Sequence, residues 1–190
     1  MLDRRDFVQK LLIDRENLLV VSGLGSPTYD VAACGDHPLN FYLWGAMGSA
    51  AMIGLGLALA QPALRVLVLT GDGEALMGLG SLATIGVKQP ANLVIVVLDN
   101  QHYGETGMQP SHTQVGIDLV AVARACKFAQ ALHVSEIGAV SRVRDVVHHS
   151  GGPILVQARI SNDVAPRVLP TRDGHAIKLR FTEALLKLSG

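Results

Sequence analysis

Short uninterrupted apolar runs alternate along the chain with stretches whose apolar residues recur every three or four positions. The runs at 18–21, 65–70 and 92–99 predict strands, and further strands are expected at 130–134 and 153–160. Between them the spacing predicts helices over 45–60, 75–87, 118–126, 137–148 and 175–188. In the 75–87 stretch Leu76, Leu79, Leu82, Ala83 and Ile85 suit a buried helix, bounded by Gly86 and then by Gln89-Pro90. Strand, helix and strand in succession make a βαβ unit. Runs of continuous Val, Ile and Leu are buried on both faces, so the expected fold is α/β: a three-layer sandwich with a mostly parallel central sheet and helices on both faces. No repeat, linker or low-complexity stretch divides residues 1–190, and one domain is expected.

Composition narrows the function more than the fold. With 49% apolar residues in 190, a disordered or fibrous chain is excluded. The 16 Lys and Arg balance the 16 Asp and Glu, which leaves no electrostatic footprint for nucleic acid or an anionic membrane. Residues 38–64 carry no charge over 27 positions, long enough to cross a bilayer. Asn40, Gly45, Gly48, Ser49, Gly54, Gly56, Gln61 and Pro62 interrupt that run, and its small residues recur at helical spacing. A buried helix packed on a sheet or on a second subunit is the better account. Cys34 and Cys126 lie far apart, and residues 1–9 hold two Arg and two Asp in place of an apolar leader, so a reduced, cytoplasmic protein is expected.

Ligands of such sheets sit beyond the carboxyl ends of the strands, which singles out the loops 22–30, 71–74 and 100–107. Gly71-Asp72-Gly73 follows a strand and opens a helix, where backbone N–H groups face an anion and glycines allow close approach. Asp72 adds a hard oxygen. By itself Gly-Asp-Gly is equally a tight turn with an Asp cap. The adjacent parallel strand, however, ends in Asp99-Asn100, and carboxylate, amide oxygen, a backbone carbonyl and two phosphate oxygens make an octahedral Mg²⁺ shell. Other motifs fail. Gly23-Leu24-Gly25-Ser26-Pro27-Thr28 has Thr where a dinucleotide fingerprint needs its third Gly, no Lys follows a Gly as a Walker loop requires, and no Ser is framed as a nucleophile elbow. Cys34 and His37 lack a second ligand pair for zinc.

These residues resemble the thiamine diphosphate enzymes, whose diphosphate-binding signature opens with Gly-Asp-Gly and closes about thirty residues on with a paired Asn. Here Gly71-Asp72-Gly73 is followed by Asp99-Asn100, with Asp in place of the first Asn. Leu43-Trp44-Gly45-Ala46-Met47-Gly48 resembles the segment that touches the aminopyrimidine and supports the bent cofactor. The stretch from Gly71 to Thr84, with Gly107-Met108-Gln109-Pro110, is most similar to sulfopyruvate decarboxylase β subunits and phosphonopyruvate decarboxylases, although those tend to have Gly where Met108 stands. The resemblance implies thiamine diphosphate and Mg²⁺ as cofactors. It implies Asp72 and Asn100 as metal ligands by side chain and His102 by its carbonyl, with Tyr103 and Gly104 in the same cofactor loop. Gly71, Gly73 and Glu74 would cradle the diphosphate, with Gly25 and Ser26 near its phosphate and thiazolium end. Met47 would sit under the bend, and the Gly45 carbonyl would accept a hydrogen bond from the cofactor's amine. The reaction implied is decarboxylation of a 2-oxo acid.

In this family a glutamate on a separate pyrimidine-binding domain protonates the far ring nitrogen. Only five Glu are present, Glu74 and Glu105 are tied to cofactor loops, and the others fall in expected surface segments. The resemblance therefore implies a heteromer whose pyrimidine-binding α subunit supplies that glutamate, with self-association possible when the partner is missing. His112 is a candidate for proton transfer or for an anionic substrate tail, against a solvated loop histidine. Two other readings stay open: an inactive cofactor-binding regulatory or structural subunit, and a β subunit of another thiamine diphosphate enzyme, carboligase or oxidoreductase.

Overall fold

The computed structural model describes residues 1–188; positions 189 and 190, included in the expected domain, lie outside the described residues. Helix α1 (Arg4–Leu11) leads to β1 (Leu19–Ser22), α2 (Ser26–Ala33), β2 (Asn40–Tyr42) and α3 (Ala50–Ala60). Strand β3 (Val66–Gly71) runs into α4 (Asp72–Met77) and α5 (Gly80–Lys88), followed by β4 (Leu93–Asp99). A small hairpin of β5 (His102–Tyr103) and β6 (Gln109–Pro110) precedes α6 (Leu119–Ala125), β7 (Gln130–Val134), α7 (Val140–His149), β8 (Ile154–Arg159) and α8 (Gly174–Leu188).

The main sheet has the order β2-β1-β3-β4-β8-β7, and every neighbouring pair in it is parallel. Alternate residues of each strand feed opposite cores. Leu67 and Leu69 of β3 pack with Phe7 and Leu11 of α1, Val31 of α2 and Val143 of α7, whereas Val66 and Val68 pack with Leu55 of α3, Ile85 of α5 and Leu119 of α6. Helices thus cover both faces, as the unbroken apolar runs require. Helix α8 sends Ile177 into one core and Phe181 into the other, where Phe181 meets Phe41 of β2 edge to face at 5.7 Å. It thereby shields the edge strand β2.

Several elements differ from the sequence reading. The helix expected from residue 45 begins only at Ala50, because Ala46 and Gly48 have φ of 50° and 97° and turn the chain first. The helix expected over 75–87 is two. The first starts earlier, at Asp72 directly on the strand end, and the chain breaks at Gly78, where a Cβ would lie 2.2 Å from the Gly48 carbonyl oxygen. The loop expected over 22–30 is shorter, since α2 starts at Ser26 with Pro27 in its first turn, a position that needs no N–H. The helix expected from 137 opens as a 3₁₀ turn, Ile137–Ala139. Helix α1, strand β2 and the hairpin were not anticipated. Among the described residues no helix is long and apolar enough to cross a membrane, and the uncharged stretch instead supplies β2 and α3.

One glycine sets how closely α5 approaches α6. A Cβ on Gly86 would lie 1.7 Å from the Cys126 carbonyl oxygen and 2.9 Å from its carbon, backbone that cannot move aside as a side chain would. Gly86→Ala is expected to lower stability by about 3 kcal/mol, the upper range for overpacking, read as a drop in the denaturant midpoint. An unchanged midpoint would show that the helices can separate freely.

Candidate active site

Parallel register brings the two polar strand ends together. Gly71 of β3 is opposite Leu98 of β4, so Asp72 and Asp99-Asn100 leave the sheet side by side. Asp72 is also the first residue of α4, and the leading amides of a helix have no intrahelical acceptor. Those amides face a cavity of about 350 Å³ whose wall includes Gly71, Asp72, Gly73 and Glu74, with Ser26, Met47, Asn100, His102, Tyr103 and Gly104. A Cβ on Gly71 would meet nothing within 4 Å, so the bare backbone gives an anion room to approach. A Cβ on Gly73 would strike the Tyr103 ring at 2.8 Å and lie 3.6 Å from Met47 Cε, so Tyr103 and Met47 bracket that glycine.

Asp72 is 2% exposed. Burial pushes its carboxyl up to about 6, reinforced by the neighbouring Asp99 carboxylate and opposed by the hydrogen bond that Ser111 Oγ donates to Oδ2. Asp99 is fully buried and accepts from Thr113 Oγ1 at 2.8 Å, from the Gln101 amide at 2.9 Å and from Gln157 Nε2 at 2.6 Å, with Arg159 Nη1 at 3.3 Å. Asn100 Oδ1 accepts from the His102 amide at 3.0 Å, while the His102 ring Nδ1 lies 2.9 Å from the Asn100 carbonyl oxygen. The Ser111 amide donates to the Gln101 carbonyl across the hairpin, which makes His102 and Pro110 a non-hydrogen-bonded pair and turns the His102 carbonyl out of the ladder.

Glu74 does more than offer an amide. Its buried carboxylate accepts from Thr70 Oγ1 at 2.9 Å and from the Gly48 amide at 3.3 Å, and so ties the turn before α3 to the end of β3. Burial raises its pKa, and the Thr70 hydroxyl with the amides of Gly48, Ala50 and Leu24 works against that rise. A Cβ on Gly23 would come within 1.8 Å of Glu74 Oε2, so the bareness of Gly23 makes room for this carboxylate.

Ten of the twelve expected cofactor residues therefore share one cavity wall. Gly25 and Gly45 do not: Gly25, with φ of 80°, lies against Glu105, and Gly45 is exposed in the turn before α3. His112 is exposed outside the wall, its ring edge-on to Tyr103 at 6.4 Å. Ser111, Thr113, Gln157 and Arg159 went unnoticed in the sequence reading. The only local signal was the pair of hydroxyls two residues apart just after the hairpin, at the start of the turn over 112–116. Among the described residues no three His, Cys, Asp or Glu side chains cluster to hold a metal. Cys34 instead donates to the Asp30 carbonyl and His37 Nδ1 accepts from the Leu39 amide. One carboxylate, one amide oxygen and an outward carbonyl beside bare amides form a donor set that suits a hard cation carrying a diphosphate.

Comparison with known proteins agrees with that chemistry. Residues 24–158 match the family described as thiamine pyrophosphate enzyme, C-terminal TPP binding domain. The chain belongs to the thiamine pyrophosphate enzymes. This thiamine pyrophosphate enzyme is 45% identical over 128 residues to a sulfopyruvate decarboxylase subunit beta of Methanothermobacter thermautotrophicus, covering 67% of the chain and 68% of that relative. It is 34% identical over 189 residues to the protein of the same name from Methanococcus maripaludis, covering 98% and 99%. It is also 41% identical over 141 residues to a phosphonopyruvate decarboxylase of Streptomyces viridochromogenes, covering 74% of the chain and 35% of that relative. The family and the three-layer α/β architecture expected from the sequence are both borne out.

Proposed function

We propose that this chain is the diphosphate-binding subunit of a heteromeric, thiamine diphosphate-dependent 2-oxo acid decarboxylase of the cytoplasm, its residues 1–190 acting as one domain. The observation that supports this reading is the cavity at the ends of β3 and β4, lined by Asp72, Asn100 and His102 beside the start of α4. Asp72, Asn100 and His102 would hold Mg²⁺, Gly73 and Glu74 would donate amides to the diphosphate, and Ser26 would add a hydroxyl. When bound, thiamine diphosphate supplies the electron sink that lets a 2-oxo acid lose CO₂. The chain's own part is to bind and orient: Met47 and Tyr103 shape the wall around Gly73, and Glu74 holds the Met47 turn in place through the Gly48 amide.

The reading includes a pyrimidine-binding partner, and the surface supports one. Helix α3 is apolar nearly all round its circumference, yet Met52, Gly56, Leu59 and Ala60 are exposed on it, and α4 and α5 expose Met77, at 64%, and Val87, at 82%. An all-apolar helix belongs in an interface. Met47 and Met77 are both exposed and both line the cavity, so a partner that covers them would also close the cavity.

The test is CO₂ release by the chain assembled with a candidate pyrimidine-binding subunit encoded beside it, assayed over 2-oxo acids with and without a second acidic group. One CO₂ and one aldehyde per substrate are expected. Acyl transfer to coenzyme A with ferredoxin reduction would replace this reading with an oxidoreductase, and cofactor binding without turnover on any 2-oxo acid would leave an inactive subunit. In the active assembly Met47→Leu is expected to keep most turnover, because it still fills the wall, whereas Met47→Ala should lower kcat roughly tenfold or more with a smaller change in cofactor affinity. Unchanged kcat in Met47→Ala would make Met47 ordinary packing.

A further inference from the structure

The cavity has one cationic wall residue that lies outside the matched domain. Arg4, the first residue of α1, lines the cavity together with Ser26 and Pro27, with a side chain only 12% exposed. One edge of its guanidinium is fixed, because Nε donates to Oδ2 of the fully buried Asp30 in α2. Arg5 Nε donates to the other oxygen of the same carboxylate at 3.1 Å, and Arg5 Nη2 donates onward to the Pro166 carbonyl at 2.7 Å. Among the described residues Nη1 and Nη2 of Arg4 make no hydrogen bond, and neither is sealed from solvent.

Charge points the same way. Two guanidinium groups share a single carboxylate, which leaves one positive charge in excess in a largely buried cluster. Such a charge is costly unless a counter-ion meets it. The carboxylates of the cavity are already engaged: Asp72 with Ser111, Glu74 with Thr70 and Gly48, and Glu105 with Arg167 at 3.0 Å. A guanidinium held rigidly by Nε presents its Nη groups as a preorganised fork, which suits the paired oxygens of a phosphate or sulfonate.

We propose that Arg4 is an oxyanion-binding residue of the cavity, recognising a tetrahedral anion of the phosphate or sulfonate type. Two sources share that chemistry: the terminal phosphate of thiamine diphosphate and an anionic tail on the 2-oxo acid. The proposal rests on the cofactor reading given above. If wild type fails to bind Mg²⁺–thiamine diphosphate in calorimetry, that reading falls; if wild type binds, the variants judge Arg4.

The variants are Arg4→Met and Arg4→Lys in the full chain, with Arg5→Met as the control that removes the other partner of Asp30 without touching the cavity, and thermal melting of each. Arg4→Met is expected to weaken cofactor binding at least about tenfold if the phosphate is the ligand, with Arg4→Lys in between. If the substrate tail is the ligand, cofactor affinity stays and the assembled enzyme shows a similar rise in KM for a phosphonate- or sulfonate-bearing 2-oxo acid, but not for pyruvate. The proposal is overturned if Arg4→Met changes neither quantity, or if Arg5→Met produces the same loss of binding, because Arg4 would then act only by holding Asp30.

Discussion

Asp72→Ala is expected to abolish Mg²⁺-dependent binding of thiamine diphosphate while the domain stays folded. The side chain lies at the strand end, hydrogen-bonded to Ser111 and Thr113, so its removal deletes no member of the two apolar cores. Its burial makes the effect dependent on pH. The carboxyl titrates near 6 in the folded, metal-free protein against about 3.8 when the chain is unfolded. Folding therefore binds extra proton between those values: the stability contribution is fully present below about 3.8 and is lost as pH rises through 6. At pH 8 the empty site carries an ionised, buried carboxylate at a cost on the order of 3 kcal/mol. A divalent cation relieves that cost. The rise in melting temperature on adding Mg²⁺ and cofactor should thus be larger at pH 8 than at pH 5 in wild type, and should vanish in Asp72→Ala at both. Calorimetry and melting at the two pH values check this, and unchanged cofactor affinity in the variant would remove Asp72 from the metal site.

With saturating thiamine diphosphate and Mg²⁺, the purified chain by itself is expected to release CO₂ from any 2-oxo acid at least about a hundredfold more slowly than the assembled enzyme. On the proposed mechanism a glutamate must meet the far ring nitrogen, and among the described residues no glutamate is free in the cavity to do so. Glu74 is buried and bound to Thr70 and Gly48, and Glu105 is paired with Arg167. Glu16 lies in a different surface pocket beside Arg65 and His149, and Glu136 and Glu183 are exposed outside the cavity wall. Titration with the partner should restore turnover to a stoichiometric endpoint, and changing the partner's glutamate should remove it again. Robust turnover by the isolated chain would require a catalytic acid within these residues and would end the two-subunit account.

The residues that hold the site together were harder to read than those that line it. Strands β1, β3 and β4 were legible because burial on both faces demands unbroken apolar runs, and Gly71-Asp72-Gly73 with Asn100 was legible because each motif is local. Helix α1 is hard to read although Phe7, Val8 and Leu11 have helical spacing, because in so short a helix Arg4, Arg5, Asp6 and Lys10 dilute the apolar signal. The turn at 45–49 read as helix because nothing local shows that Gly48 must pack against Gly78. Ser111 and Thr113 reach Asp72 and Asp99 across long stretches of chain, and Gln157 and Arg159 arrive from β8. Local pattern reports whether a residue is buried, not which distant group it meets.

The position of β8 has a consequence for how the protein is made. Among the described residues it is the last strand made, yet it belongs between β4 and β7, and β7 pairs with no other strand there. Some sixty residues separate Asp99 from Arg159, a wait of roughly 3 to 12 s at ordinary translation speed. Throughout that interval the nascent chain offers the long apolar edge of β4 to any strand that passes, an edge open to mispairing. Asp99 spends the same interval without Gln157 and Arg159, so the hydrogen-bonded support beside Asp72 is complete only after β8 is made.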